Sequence, residues 1–304
     1  GSTARSSHFS PAGIIRMTTA RFVRLIQGFL LLGGLPLMHA CAEAAETFSV
    51  GGFDYDDTRF SQWKLPKSLC EISGLALDDR QRLFAHDDEK AVIHQLDYRK
   101  GRRIKKFALG DPAIRGDFEG IAVTDDEIYL IDSNGVLYAA PEGEDNSAVR
   151  YQLTRTGLGK RCEIEGLEYQ RDHKSLLVLC KSPRQKALKG YVTVFFWSLE
   201  NKALDDARTI KLDRDVLKER MGSRGFHPSG ITVIPDNGHL LIVAARERAL
   251  MELTAEGAMV DAFELPTAKH HRQAEGIAIT AEGDLLLADE GGGKRGRLGV
   301  YAAQ

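Results

Sequence analysis

The sequence predicts an all-β chain that folds as a five-bladed β-propeller with four strands in each blade. The main observation is a glycine, preceded by a polar and followed by an apolar residue, that recurs at Gly74, Gly120, Gly166, Gly230 and Gly276, with spacings of 46, 46, 64 and 46 residues. Each glycine is followed by a turn and three further apolar runs, except that the last copy is followed by only two. Repeated units of about 45 residues with four short strands each are typical of β-propellers.

The strands of each unit can be assigned in order. The first strand carries the glycine and reads EISGLAL, DFEGIAV, EIEGLEY, HPSGITV and QAEGIAI in the five units. A polar turn follows, with the sequences DDRQ, TDDE, QRDHK, PDNG and AEGD. The second strands, such as IYLIDSN, and the third strands, such as YVTVFFW, are short apolar runs, which indicates strands rather than helices. The fourth strand ends in an apolar residue, any residue and a leucine.

The fifth unit lacks a fourth strand within the chain. A matching segment lies at the other end, because residues 63–66 (WKLP) resemble residues 263–266 (FELP) of the fourth unit. We therefore predict that this N-terminal strand completes the last blade and closes the ring, which removes the exposed sheet edges of an open array. The interval of 64 residues is too short for a sixth blade and predicts longer connections instead.

The N-terminal region has the features of a secretory signal. Residues 1–16 are predicted to be an extension before Met17, and residues 17–44 a signal peptide with a basic segment, an apolar run and small residues spaced for cleavage. The apolar run is short and broken by glycine and proline, which favours export over a membrane anchor. The expected product is a periplasmic or secreted single domain of residues 45–304, without a membrane span.

Four cysteines bear on compartment and stability. Cys41 offers a site for a lipid anchor, but the residues before it fit a lipoprotein motif poorly, so this is the less favoured alternative. Cys162 and Cys180 fall on neighbouring predicted strands and are the favoured disulfide pair in an oxidising compartment. The alternative is that both remain thiols, as Cys70 does.

The charge balance argues against a nucleic-acid partner. The chain has 41 basic and 43 acidic residues and a formal net charge of −2, and the bases are scattered among the acids. A protein that follows a phosphate backbone usually shows a basic excess or stripe. The expected partners are therefore a small anionic ligand or a peptide, bound to a monomer.

Polar side chains precede each repeated glycine. The residues one and three positions before it are polar in all five units, whereas the residue between them is apolar, so the two polar residues share one face of the strand. First strands line the channel of a propeller, which places these residues at its mouth. They are Glu71 and Ser73, Asp117 and Glu119, Glu163 and Glu165, His227 and Ser229, and Gln273 and Glu275.

A second polar set follows the second strands, on the same face of the ring. It is mostly acidic in units one, two and five and mostly basic in units three and four. The predicted metal ligands from both sets are Glu71, Asp87, Asp117, Glu119, Asp132, Glu163, Glu165, Glu275 and Asp289. The predicted ligand-binding bases are Lys181, Arg184, Arg246, Arg248 and Lys294.

Carboxylates that converge on one mouth must be neutralised by protons, bases or a cation. An oxygen-only donor set favours Ca²⁺, with Mg²⁺ or Mn²⁺ as alternatives, and disfavours zinc. The competing interpretation is that these acids pair with the basic loops and simply hold the ring together.

The motifs CEIEGLEY, QAEGIAITAEGDLLLADE and residues 229–260 resemble the SdiA-regulated family of bacterial exported proteins. The likeness covers about residues 60–303, and phytase-like esterase domains carry comparable Glu-Gly motifs. The resemblance implies a propeller, export, and a calcium or ligand site near the channel, but no established reaction. Units one and four depart from it with Ser-Gly in place of Glu-Gly, and the final loop is unusually basic.

Three functions are compatible with these features. The favoured one is a binding protein that holds a divalent cation and a small anionic ligand. The first alternative is a metal-dependent phosphoesterase, in which the bases bind phosphate and Glu165 or Glu275 acts as general base. The second alternative is a protein-interaction scaffold. The chain has no nucleophile elbow, Walker loop or zincin motif, so those reaction classes have no support.

Overall fold

Five sheets repeat around a central axis in the computed structural model, which describes residues 46–222, 225–265 and 269–304. The predicted five-bladed β-propeller is confirmed. Blades are numbered by their glycine, blade one carrying Gly74 and blade five Gly276. The predicted extension and signal peptide lie outside the described residues, and the compact unit that contains all described residues begins at Ala44.

The described ranges contain 24 β-strands and one α-helix. The chain starts with β1 (Thr47–Val50), β2 (Phe53–Asp56) and β3 (Phe60–Lys64). Blade one consists of β4 (Ile72–Leu77), β5 (Leu83–Asp87), β6 (Val92–Asp97) and β7 (Arg102–Leu109). Blade two consists of β8 (Phe118–Val123), β9 (Ile128–Asp132), β10 (Val136–Ala140) and β12 (Gln152–Arg155), while the intervening β11 (Ala148–Val149) pairs with β7 of blade one.

Blade three is the longest. It consists of β13 (Cys162–Gln170), β14 (Ser175–Pro183), β15 (Tyr191–Ser198), β16 (Ala203–Leu204) and β17 (Ile210–Asp213), the last two both pairing with β15. Blade four consists of β18 (Gly230–Val233), β19 (Leu240–Ala244), β20 (Ala249–Leu253) and β21 (Met259–Glu264). Blade five consists of β22 (Ala274–Ile279), β23 (Leu285–Asp289), β24 (Arg297–Tyr301) and β3. Short 3₁₀ turns lie at Asp57–Arg59, Lys67–Leu69, Leu158–Lys160, Arg171–His173, Lys186–Leu188 and Asp206–Arg208.

The ring closes through the N-terminal strand, as predicted. Strand β3 pairs antiparallel with β24, with Trp63 opposite Leu298 and Phe60 opposite Tyr301. The last blade is thus built from both ends of the domain, and its outer edge is covered by a strand that belongs to another part of the sequence. This arrangement couples the two ends and leaves the ring without an unpaired blade.

The interval of 64 residues is filled by longer connections in and after blade three. Strand β16 lies in the segment between β15 and β17, and helix α1 (Arg214–Met221) lies after β17. The Asp213 carboxylate caps this helix by accepting a hydrogen bond of 2.8 Å from the Asp215 amide. Leu217 is the buried residue of the helix and packs into the apolar cluster between blades three and four.

At two of the repeated positions, glycine is required by the close approach of a neighbouring inner strand. A Cβ atom on Gly120 would lie 2.5 Å from the Leu167 amide nitrogen of blade three, and one on Gly230 would lie 2.5 Å from the Glu275 carbonyl oxygen of blade five. Each inner strand contacts the next around the ring, and β22 contacts β4. Five apolar clusters fill the five interfaces between neighbouring blades.

Strands β1 and β2 form a hairpin that the sequence analysis did not predict, because this hairpin occurs once and is not part of the repeated pattern. Its Tyr55 is buried and donates a hydrogen bond of 2.7 Å to the Gly283 carbonyl, while the Gly51 amide donates one of 2.8 Å to Glu252. These bonds fix the hairpin to blades four and five.

The favoured disulfide forms between Cys162 and Cys180 on β13 and β14, and Cys70 is a free thiol. No helix in the described ranges has the length and apolar character needed to cross a bilayer.

Candidate functional site

The residue before the repeated glycine sits in a β-bulge in four of the five blades. In blade two, Phe118 pairs with Asp132 and Gly120 with Ile131, so Glu119 has no partner across β9. The same irregularity skips Ser73 in β4, Glu165 in β13 and Glu275 in β22. Bulges re-aim side chains. Here they turn one polar side chain from each of these blades toward the channel mouth.

The channel itself is closed just below this mouth. Its central cavity has a volume of only about 10 Å³, room for one water molecule at most. One aliphatic residue from each blade, directly after the glycine, fills it: Leu75, Ile121, Leu167, Ile231 and Ile277. The propeller therefore presents two separate ends. We call the end that carries the residues before the glycines the upper face, and the opposite end the lower face.

Glu119, Glu165 and Lys181 form the first part of the upper site. The Ser73 hydroxyl donates a hydrogen bond of 3.0 Å to Glu119, and the Lys181 ammonium lies 2.8 Å from Glu165 Oε1. The Glu165 Oε2 atom is buried and has no hydrogen-bond partner among the described residues. Burial, and then the charge of Glu165, raises the pKa of Glu119 well above its ordinary value. Burial also raises the pKa of Glu165, even though Lys181 opposes this.

Glu275, Gln273 and Glu290 form the second part. The Gln273 side-chain amide donates a hydrogen bond of 3.0 Å to Glu275 and another to Glu290, so it holds two carboxylates together. Burial raises the pKa of both glutamates, and their mutual repulsion adds to the effect on Glu275. The Glu71 carboxylate contributes to the raised pKa of Glu290, which connects this group to blade one.

Cys70, Glu71 and Asp87 form the third part. Their ligand atoms all lie within 4.8 Å of one another, and among the described residues this is the only such group of three His, Cys, Asp or Glu side chains. Beside them, burial and then the charges of Asp87 and Glu71 raise the pKa of Asp88 to about 7. The Asp88 Oδ1 atom is buried without a hydrogen-bond partner among the described residues.

We call these three groups together the carboxyl cluster. The pKa is raised in six of its carboxyl groups: Asp87, Asp88, Glu119, Glu165, Glu275 and Glu290. Lys181 is the only base that pairs with any of them in the described ranges. The cluster thus contains more acidic than basic side chains among the described residues, and burial and mutual repulsion raise the pKa of its carboxyl groups.

The other predicted metal ligands have different surroundings. Asp132 accepts hydrogen bonds of 2.9 Å from the amides of Asn134 and Val136, which stabilises its own turn. Asp289 is buried and lies 2.7 Å from His271 Nδ1. Asp117 is exposed, and Glu163 is half-buried. Both act on the cluster through charge, Asp117 on Glu119 and Glu163 on Glu165.

Of the predicted bases, Lys181 is the one that reaches the cluster. Arg184 instead donates a hydrogen bond of 2.6 Å to the Gly159 carbonyl, at the boundary of blades two and three. Arg246 is exposed and lies 4.0 Å from Glu247, which pairs with His227. Arg248 and Lys294 are exposed, the latter in the glycine-rich final loop. The anionic ligand predicted from the sequence would therefore meet one positive side chain here.

Sequence reasoning missed Cys70 as a donor. It considered oxygen ligands only, whereas the thiol lies beside two carboxylates that belong to the same group. Burial, and then Asp87 and Glu71, raises the pKa of Cys70 above its ordinary value. The available signal was its position directly before Glu71. Asp88 and Glu290 had a clearer signal, because both directly follow a predicted metal ligand after a second strand.

Below the aliphatic layer, Glu168 is a buried acid between blades three and four. Burial raises its pKa from 4.5 to about 7, although the Tyr169 amide, the Thr232 hydroxyl and the Val233 amide donate to it. Because the pKa of Glu168 is higher in the folded state, the folded protein binds its proton more tightly than the unfolded chain does. The stabilisation of the folded state by this group is therefore fully present below pH 4.5 and is lost as the pH rises through 7. The shift corresponds to about 3 kcal/mol.

The free energy of unfolding of Glu168→Gln relative to the wild type is therefore expected to increase by about 3 kcal/mol between pH 4 and pH 8. Urea unfolding at pH 4, 6 and 8 measures this difference, with the exposed Glu256→Gln as the matched control. Parallel pH profiles for wild type and Glu168→Gln would contradict it.

One of three similar solved structures supports the fold. A glutaminyl cyclase from Myxococcus xanthus matches with a TM-score of 0.53 and 15% identity, over 80% of this chain and 95% of that one. An aldose sugar dehydrogenase from Streptomyces coelicolor matches with a TM-score of 0.48 and 16% identity, over 80% and 98% of the two chains. A gluconolactonase from Xanthomonas campestris matches with a TM-score of 0.46 and 15% identity, over 77% and 72%. At 15% identity the likeness to the glutaminyl cyclase extends to the fold alone, and the two matches with TM-scores below 0.5 carry no argument.

Comparison at the level of sequence families is more specific. A search of curated proteins found no significant match. The family model described as SdiA-regulated, however, matches residues 58–291, which is well over half of the chain and includes residues of all five blades. The resemblance noted in the Glu-Gly motifs therefore extends across the propeller, and the chain belongs to the SdiA-regulated family.

Proposed function

We propose that this protein is an exported propeller whose upper face binds one divalent cation, with Ca²⁺ favoured, together with a small anionic ligand. The observation that carries the proposal is the carboxyl cluster, where six carboxyl groups with raised pKa values meet a single paired base in the described ranges. Bringing so many acids together is unfavourable unless protons, bases or a cation compensate them, and a cation is the compensation that we propose.

The cation is best accommodated at Glu71 and Asp87. Their carboxylates are close enough to share one ion, and Asp88 adds a buried oxygen without a partner among the described residues. Carboxylate oxygens suit Ca²⁺, Mg²⁺ and Mn²⁺. Cys70 lies in the same group, and a thiol would be recruited only by a softer metal such as Zn²⁺. The donor set therefore fits a hard cation without the thiol and a softer one with it.

The anionic ligand would lie between the cation and Lys181. The Lys181 side chain is 39% exposed and therefore accessible, and Glu165 and Glu119 raise its pKa although burial opposes this. A carboxylate or phosphate placed here could contact both the ammonium and the ion. Because only one of the five predicted bases contacts the carboxyl cluster, we expect a ligand with a single anionic group rather than a polyphosphate.

Binding accounts for this geometry better than hydrolysis. The two candidate general bases are both engaged, Glu165 by Lys181 and Glu275 by Gln273. The scaffold alternative leaves the excess of buried acid without a role. We therefore place the metal-dependent phosphoesterase second and the scaffold third.

The proposal predicts that Ca²⁺ raises the thermal unfolding midpoint of chelator-treated protein. An ion that binds only the folded state stabilises it by about 2.7 kcal/mol at 100 times its dissociation constant. Titrations with Ca²⁺, Mg²⁺, Mn²⁺ and Zn²⁺ in a thermal unfolding assay rank the ions. Absence of a shift with all four would show that the carboxylates are compensated within the protein, and would rule out the cation site.

A further inference from the structure

A second cavity lies at the lower face, on the other side of the aliphatic layer. Its volume is about 500 Å³, within the usual range of small-molecule sites. The residue three positions after the repeated glycine lines this cavity in every blade. The five apolar or aromatic side chains form a ring around it. This ring consists of Leu77, Val123, Tyr169, Val233 and Ile279.

The rim of this lower pocket is acidic. Asp79, Asp172 and Asp236, from the turns of three different blades, line it, and their side chains make no ion pair within the part of the chain that the structure describes. The single base in the lining is Arg171, which is paired with Asp125 and lies over the ring of Tyr169. Its charge is thus already compensated, and the rim carries a net negative charge.

Glu168 distinguishes this end of the channel further. It lines the pocket, whereas blades one, two and five have alanine at the equivalent position: Ala76, Ala122 and Ala278. Its carboxyl group is buried, and Oε1 accepts a hydrogen bond of 2.7 Å from the Tyr169 amide. Because its pKa is raised to about 7, this acid adds negative charge to the pocket wall only as the pH rises through that value.

We propose that the lower pocket binds an aliphatic polyamine. The apolar ring can cover the methylene groups, and the separated rim carboxylates can each meet one ammonium group. A single divalent ion fits less well, because no three acidic side chains of this rim come within 4.8 Å of one another in the described ranges. Anionic ligands are repelled by the rim. The proposal does not depend on the cation site of the upper face.

Calorimetric titration of the full-length protein with spermidine at low salt tests the proposal. We expect one site, weakened by added salt. The triple variant Asp79→Asn, Asp172→Asn and Asp236→Asn should lower the affinity at least tenfold. A matched triple variant at exposed acids elsewhere, Glu200→Gln, Glu219→Gln and Glu256→Gln, removes the same charge and should keep the affinity within a factor of two.

A neutral chain of similar length, 1,8-octanediol, separates charge recognition from simple apolar binding and should bind at least tenfold more weakly. The proposal is wrong if spermidine gives no saturable heat at millimolar concentration. It is also wrong if the two triple variants weaken binding equally, because attraction would then be nonspecific, or if the diol binds as well as the triamine. Circular dichroism of both variants confirms that they fold.

Discussion

Replacing Glu71 with Gln and Asp87 with Asn in one variant is expected to lower the affinity for Ca²⁺ at least 100-fold. These two carboxylates are the charged oxygen ligands that lie close enough to share an ion, and removing both takes away the charge that would hold it. A factor of 100 corresponds to about 2.7 kcal/mol of binding free energy. Calorimetric titration with Ca²⁺ measures the loss directly, and the thermal shift should disappear with it.

The matched control is Asp126→Asn with Glu282→Gln, which removes the same charge from exposed turns of the lower face. It should bind Ca²⁺ as the wild type does. Cys70→Ser identifies the metal: Ca²⁺ affinity should stay within a factor of two, whereas Zn²⁺ affinity should fall. If the site variant keeps its Ca²⁺ affinity, the cation is not held by Glu71 and Asp87.

Loss of the disulfide between Cys162 and Cys180 is expected to lower the free energy of unfolding by about 3 kcal/mol. The bond closes a loop with a sequence separation of 18 residues between β13 and β14, and both cysteines are fully buried. A cross-link of this span removes conformational freedom from the unfolded chain. Urea unfolding of Cys162→Ala with Cys180→Ala measures the loss.

Urea unfolding of the wild type in a thiol reductant breaks the disulfide without changing any side chain. It therefore distinguishes the loss of the cross-link from the packing defects that the alanine substitutions introduce. Reductant should move the wild-type midpoint toward that of the double variant and leave the variant unchanged. Cys70→Ser, which removes the free thiol, should respond to reductant as the wild type does. If wild type that is unfolded and refolded in reductant keeps the same urea midpoint, the disulfide does not contribute to stability.

The fold could be predicted from the sequence because the sequence pattern of each blade is repeated. Five copies of one pattern around Gly74 and its equivalents outweigh the ambiguity of any single short apolar run, and the match of residues 63–66 to residues 263–266 predicted the pairing of β3 with β24. The hairpin of β1 and β2 carries no such repetition. Its position depends on contacts with Gly283 and Glu252, more than 200 residues away, which no local pattern reveals.

The candidate site could be predicted from the sequence only in part. Strand alternation placed Glu119 and Glu165 at the channel mouth, and the structure reaches the same place by bulges that skip both residues in the pairing. Asp132 and Asp87 occupy equivalent positions in their blades, and each accepts a hydrogen bond from the amide two residues later in its own turn. Only Asp87 belongs to a group of three potential ligands in the described ranges, with Glu71 and Cys70, and that proximity is a distance in space that the strand pattern does not specify.

The sequence by itself thus determined the number of blades, the closure of the ring and the ring of polar residues, because each follows from the periodicity of the chain. Tertiary structure alone decided which acids converge, which of them lack a compensating partner, and that an aliphatic layer separates an upper cluster from a lower pocket. Convergence brings together residues from different blades at distances of a few ångströms. Burial and electrostatic repulsion depend on those distances, and a linear pattern does not contain them.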